Sequence, residues 1–138
     1  MGLAERRGLK DFQENHFPKW QTQIDEAAQT KVLLDVDWAS LAIEDESHLY
    51  NENWPLVYFE PLLNALKSIA RDDLGREALA EGLKKVTITH DPEVYSGDTG
   101  LYATFQDGVL ALRHAAHTNV DNIKDRTEGI VTALEKSL

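Results

Sequence analysis

Two groups of residues in this sequence carry side chains suited to chemistry. The first is EDESHLYNENWPLVYFEP, residues 44–61, in which Glu44, Asp45 and Glu46 stand in a row and Glu52 follows. Tyr50, Trp54 and Tyr58 are set among these acids, and no lysine or arginine occurs between Lys31 and Lys67. Aromatic anchors ringed by carboxylates suit a face that receives a basic protein. Tyr and Trp supply buried contact, and the acids steer the approach. Glu44, Asp45, Glu46, Tyr50, Glu52, Trp54 and Tyr58 are the residues such a face would use. The plainer alternative turns the aromatics inward and leaves the acids as a solvated surface.

The second group is His90, Asp91, His114 and His117, with Glu93 and Asp98 nearby. Imidazoles and carboxylates together can hold zinc or another divalent metal. No HExxH or comparable spacing accompanies them. A histidine that closes an apolar sheet face also has a simpler role as a hydrogen-bonded rim residue. A divalent metal therefore belongs only to the alternative reading, and no cofactor is expected under the first. The segment DPEVYSGDTG, residues 91–100, is turn chemistry with room for a ligand loop. Asp35 and Asp37 alternate along one strand face, where exposure to water accounts for them. Ser47-His48 is not a triad signal, and no GxSxG elbow exists. Nothing here marks a catalyst, and binding is the first reading.

The elements that must position these groups follow from hydrophobic period. Leu9, Phe12, His16, Trp20, Ile24 and Ala27 recur at helical spacing, so residues 9–29 read as a helix that Pro18 kinks or restarts. KVLLDVDW, residues 31–38, alternates as a half-buried strand with Leu34, Val36 and Trp38 on the apolar side. A short helix is expected over 39–52, and a second capped by Asn53 with Pro55 in its first turn. Leu62, Leu63, Leu66, Ile69 and Ala70 form a core stripe. Asp72 or Asp73 caps a helix carrying Leu74, Leu79 and Leu83.

The period then switches to two in KKVTITH, residues 84–90, and LYATFQ and VLALRH flank the Asp107-Gly108 turn. If Gln106 and Val109 flank that turn, Phe105 faces Leu110, Ala103 faces Leu112 and Leu101 faces His114. Antiparallel pairing of 84–90 with 101–106 brings His90 to the same end and face. It also leaves one strand between His90 and His114, a separation of roughly 10 Å. Ile123, Thr127, Ile130, Leu134 and Leu138 mark a last helix, capped by Asp121 or Thr118. The expected fold is α+β: a mostly antiparallel sheet of three to four strands with several helices packed on one face.

Length and charge bound the rest. A chain of 138 residues without repeats or linker-like stretches reads as one domain, 1–138. There is no cysteine, which excludes disulfides, thiolate metal sites and a cysteine nucleophile. A net charge of −10 disfavours nucleic acid and anionic membrane and suits a basic protein partner. No signal-peptide pattern opens the chain, and no apolar run approaches a membrane span, so a cytoplasmic setting is expected. The functional expectation is a small cytosolic binding module of inhibitor, immunity or adaptor type. The alternative is a small-ligand or metal protein, with enzymatic activity open, using the His90/His114/His117 end. A homodimer that covers the aromatic patch is a further possibility.

Overall fold

Thirteen backbone elements follow from the sequence in the computed structural model, which describes residues 1–96 and 100–138. Two helices come first, α1 (Leu3–Asn15) and α2 (Phe17–Ala28), packed against each other. The break falls at His16, whose backbone leaves helical values so that Pro18 can occupy the first turn of α2, where its missing N–H costs nothing. Phe12, Ile24 and Ala28 are fully buried and hold the pair to the rest of the chain.

The strand expected over 31–38 shortens to β1 (Leu34–Val36). Asp37 ends it by accepting a hydrogen bond from the Ser40 backbone N–H, capping α3 (Trp38–Leu41). Trp38 is therefore a helix residue packed on Phe12, Phe17 and Trp54, and not the end of an apolar strand face. Asp35 and Asp37 likewise form no strand-face pair.

After a 3-10 turn, Ser47–Leu49, the chain runs helically from Tyr50 to Ile69 as α4 (Tyr50–Trp54), a π-helical turn (Pro55–Phe59) and α5 (Glu60–Ile69). Pro55 cannot donate to the preceding turn, and the helix widens around it: the Glu60 N–H donates to the Pro55 carbonyl, five residues back. Asn53 lies inside α4 and caps nothing. α6 (Asp73–Gly82) is capped by Asp72, whose side chain accepts from the Gly75 N–H at 2.8 Å. Neither Asp121 nor Thr118 caps α7 (Ile123–Glu135); Asn122 precedes it.

The sheet has the order β1-β2-β4-β3, with β2 (Lys85–His90), β3 (Ala103–Gln106) and β4 (Val109–His114). The hairpin register is the expected one: Phe105 opposes Leu110 and Ala103 opposes Leu112, around Asp107 and Gly108, both at positive φ. The expected pairing of 84–90 with 101–106 is not formed. β2 pairs with β4 in parallel, and β1 pairs with β2 in parallel, so the sheet is mixed and mostly parallel.

Burial explains the order. β4 brings Leu110, Leu112 and His114, all fully buried, and suits an interior position; β3, with Thr104 and Gln106 exposed, suits an edge. The segment from Trp38 to Gly82 is thereby the crossover that a parallel β1–β2 pair requires. Helices cover one face of the sheet, as expected. On the other face Asp35, Lys85, Thr87, Thr89, Thr104, Ala111 and Arg113 are all at least partly exposed. Among the described residues no helix is long and apolar enough to cross a membrane.

Candidate functional site

β1, β2 and β4 run in the same direction, so their carboxyl ends meet at one edge of the sheet. Ligand-binding residues in open α/β sheets gather at such an edge. Here it holds Asp37 and Ser40 after β1, His90 and Asp91 at the end of β2, and His114 and His117 at the end of β4. His90 and His114 are register partners on adjacent strands, about 4.8 Å apart along the hydrogen-bonding direction, with no strand between them. The separation expected from the sequence is corrected by the parallel pairing.

Each imidazole has one nitrogen committed. His90 Nδ1 accepts from the Ala116 backbone N–H at 3.0 Å, which leaves its proton on Nε2 when the ring is neutral. His114 Nδ1 donates to the Ala115 carbonyl at 2.6 Å, so its Nε2 carries the lone pair; that atom is buried without a partner. His117 Nδ1 receives the Asn53 side-chain amide at 2.9 Å, and its Nε2 is also buried without a partner. Ser40 Oγ accepts from the His90 N–H and donates to the Asp37 carbonyl, so it is a structural bridge rather than a nucleophile.

Burial holds all three histidines below the ordinary imidazole range. For His90 the Asp91 carboxylate opposes that effect. For His114 the Ala115 carbonyl opposes it, while Arg126 and His90 add to it. For His117 Glu46 opposes it, while His90 and His48 reinforce it. The rings are neutral neighbours. Among the described residues no three His, Asp or Glu groups are arranged to hold a metal ion.

The acidic turn and the histidine end, separate in the sequence, form one region. The Tyr50 ring stacks on Trp54 at 4.3 Å and lies parallel to His117 at 6.4 Å. Its hydroxyl donates to the Ile43 carbonyl at 2.7 Å and so ties down the turn that carries Glu44, Asp45 and Glu46. Burial, with Glu5 and Glu46 nearby, pushes the Tyr50 hydroxyl up to about 12.

Tyr50, Trp54 and Tyr58 are each 0% exposed, which corrects the expectation that they lie at a partly wet surface. α1 packs against α4, which carries Tyr50 and Trp54, and Tyr58 lies in the π-helical turn that follows. Phe12 meets Trp54 edge-on at 5.0 Å, and the Tyr58 hydroxyl donates to the His114 carbonyl. Glu44, Asp45 and Glu52 remain exposed, and Glu46 is half-buried. None of these four enters an ion pair among the described residues.

Asp91 pairs with Arg113 at 3.9 Å across the open sheet face. Of the loop 91–100, the glycine, aspartate and threonine at 97–99 lie outside the described residues, so the ligand-loop expectation and Asp98 are not addressed.

Two residues of this region were not named as site residues from the sequence. Asn53 looked like a cap, and nothing local marks it as a partner of His117. Arg126 did leave a signal: it sits three residues after Ile123 and four before Ile130, on the apolar stripe of α7. The structure buries it completely, with its guanidinium donating to the Asn119 and Val120 carbonyls at 2.8 and 2.6 Å. Arg126 thereby fastens the segment that carries His117.

No protein-family model matches the chain, and no curated protein and no solved structure matches it.

Proposed function

We propose that the chain is a small binding module, of inhibitor, immunity or adaptor type, that offers Glu44, Asp45, Glu46 and Glu52 to a basic protein partner in the cytoplasm. One observation carries this reading. Three carboxylates on a turn, and Glu52 on the helix that follows it, enter no ion pair among the described residues, and the anchor of that turn, Tyr50, is locked in the core by the Ile43 carbonyl and the Trp54 ring. A charge array held in place before binding loses little freedom when a partner docks. With the aromatics withdrawn, the face works by charge, so the partner supplies the anchoring arginine or aromatic side chains. Association is then fast and strongly salt-dependent.

The experiment is a tagged pull-down from the native host's lysate at low and high salt, followed by affinity measurement on the protein recovered. The variant E44Q/D45N/E46Q/E52Q should bind at least about tenfold more weakly at low salt and lose most of the salt slope. Asn at 45 suits the positive φ of 65° there, and the urea midpoint of the variant should match that of the wild type. Unchanged affinity and slope would remove the proposal.

A second reading rests on the buried, unpartnered Nε2 atoms of His114 and His117, which a small polar ligand at the carboxyl edge would satisfy. Its metal form lacks a third ligand among the described residues. Elemental analysis after gentle purification, with a zinc titration, decides that form. Bound zinc that His114→Ala releases would revive it, and clean protein with no uptake would end it.

A further inference from the structure

The amino-terminal edge of the sheet carries another surface. α6 is held to the core by one fully buried residue, Leu79, whereas Leu74 on the same helix is 77% exposed. Leu74, Ala78, Phe105 and Leu138 line a groove of about 650 Å³ between α6, the β3–β4 turn and the end of α7. Glu77, Glu81 and Asp107 stand in the same lining, and none of them enters an ion pair among the described residues. An apolar floor with an acidic rim that forms no ion pair among the described residues, although the Lys84 side chain lies beside Gly108, fits a helix face on which a large apolar side chain is followed by cations.

α1 presents such a face. Leu3, Arg6, Arg7 and Lys10 are all exposed, and their three- and four-residue spacing puts them on one stripe. Arg6 and Arg7 enter no ion pair among the described residues, and Lys10 has only an exposed contact with Glu14 at 3.9 Å. α1 packs against α2, α4 and the 3-10 turn at the carboxyl edge, so it cannot reach its own groove.

We propose that the groove receives α1 of a second copy of the chain, in a head-to-tail contact. Leu3 of one copy enters between Leu74 and Leu138 of the other, and Arg6, Arg7 and Lys10 face Glu77, Glu81 and Asp107. The two surfaces differ, so the contact is heterologous and can repeat into rings or chains. The net charge of −10 on each copy opposes it, which makes the assembly weak and dependent on protein concentration.

Sedimentation of the full chain tests this. The wild-type mean mass should rise above that of one chain between about 10 μM and about 1 mM, the range of weak association. R6E/R7E loses the donor stripe and keeps the groove; E77R/E81R loses the rim and keeps the stripe. Each alone should stay monomeric, and so should L74E. An equimolar mixture of the first two should assemble again, because the native stripe meets the native rim and the reversed stripe meets the reversed rim. That assembly also shows both variants to be folded.

A wild type that remains monomeric throughout overturns the proposal, as does a mixture that does not assemble. Loss of assembly in E44Q/D45N/E46Q would place α1 on the acidic turn instead, and would overturn the groove as its site. Retained assembly in that variant is the expected result and leaves the basic-partner reading to its own test.

Discussion

The two edges of the sheet are both acidic and differ in what stands behind the acids. At the carboxyl edge Glu44 and Asp45 project from a turn, and Glu52 from α4, backed by Tyr50, Trp54 and Tyr58, all fully buried. At the amino edge Glu77, Glu81 and Asp107 border side chains that stay open to water, Leu74 above all. The first surface offers charge on a stiff support. The second offers apolar area with charge at its rim. Acidic composition alone does not separate these cases; the depth of the neighbouring apolar side chains does.

The largest effect that would break this comparison is at Trp54. As a core residue touching Phe12, Trp38 and Tyr50, its replacement in Trp54→Ala should cost about 3–5 kcal/mol, read as a large drop in the urea midpoint. A surface anchor would instead show normal stability and weakened partner binding, and that result would return the aromatics to the interface.

Next comes Gly75. A β-carbon there would lie 1.6 Å from the Ile69 carbonyl oxygen, a backbone atom that no side-chain rotation moves away. Gly75→Ala should displace α6, cost about 1–3 kcal/mol, and abolish head-to-tail assembly while sparing the acidic turn. Normal assembly in this variant would show that the groove does not depend on α6.

The histidines allow the carboxyl edge to be loosened by pH. Their pKa values are lowered in the folded state, chiefly by burial, so the folded chain binds fewer protons than the unfolded one as pH falls past about 6.5. Their contribution is fully present above the unfolded value and is lost as pH drops through the folded values. The urea midpoint should therefore decline from pH 7 toward pH 5, and more shallowly in His90→Asn, whose amide oxygen can still accept from the Ala116 N–H. An identical slope in the variant would take His90 out of this titration.

The smallest effect sharpens the contrast within a single helix. Leu74→Ala should leave stability within about 0.5 kcal/mol, as exposed positions do. Leu79→Ala, at a fully buried position, should cost about 2–5 kcal/mol. Urea titrations of the two variants side by side check this, and equal losses would mean that Leu74 is packed.

Much of the local architecture was legible. The Asp107-Gly108 turn set the β3–β4 register to the residue, because two positions at positive φ leave little freedom in how the strands leave the turn. The Leu62–Ile69 core stripe followed from spacing in the same way, and the α6 cap was narrowed to Asp72 or Asp73, of which the structure uses Asp72. The candidate site was legible only as two unconnected groups. Nothing near Asn53 or Glu46 in the chain announces His117, 64 residues beyond Asn53, because their contact depends on how the crossover helices lie over the sheet.

By itself, then, the sequence determined what rests on neighbours along the chain: helix and strand periods, the hairpin, the charge and the absence of thiol chemistry. Only the tertiary structure decided which edge of β2 accepts which strand, and so that His90 and His114 are neighbours. Period assigns a side chain to a face, but both edges of a strand offer the same hydrogen bonds, and burial across the whole sheet makes the choice. Tertiary packing likewise decided that Tyr50, Trp54 and Tyr58 are core. A tyrosine is stable at a wet surface or in a dry interior, provided its hydroxyl finds a partner, and the Ile43 and His114 carbonyls are partners of Tyr50 and Tyr58 that only the fold provides. The Trp54 indole N–H is buried without one among the described residues, and its ring is held by packing against Phe12, Trp38 and Tyr50.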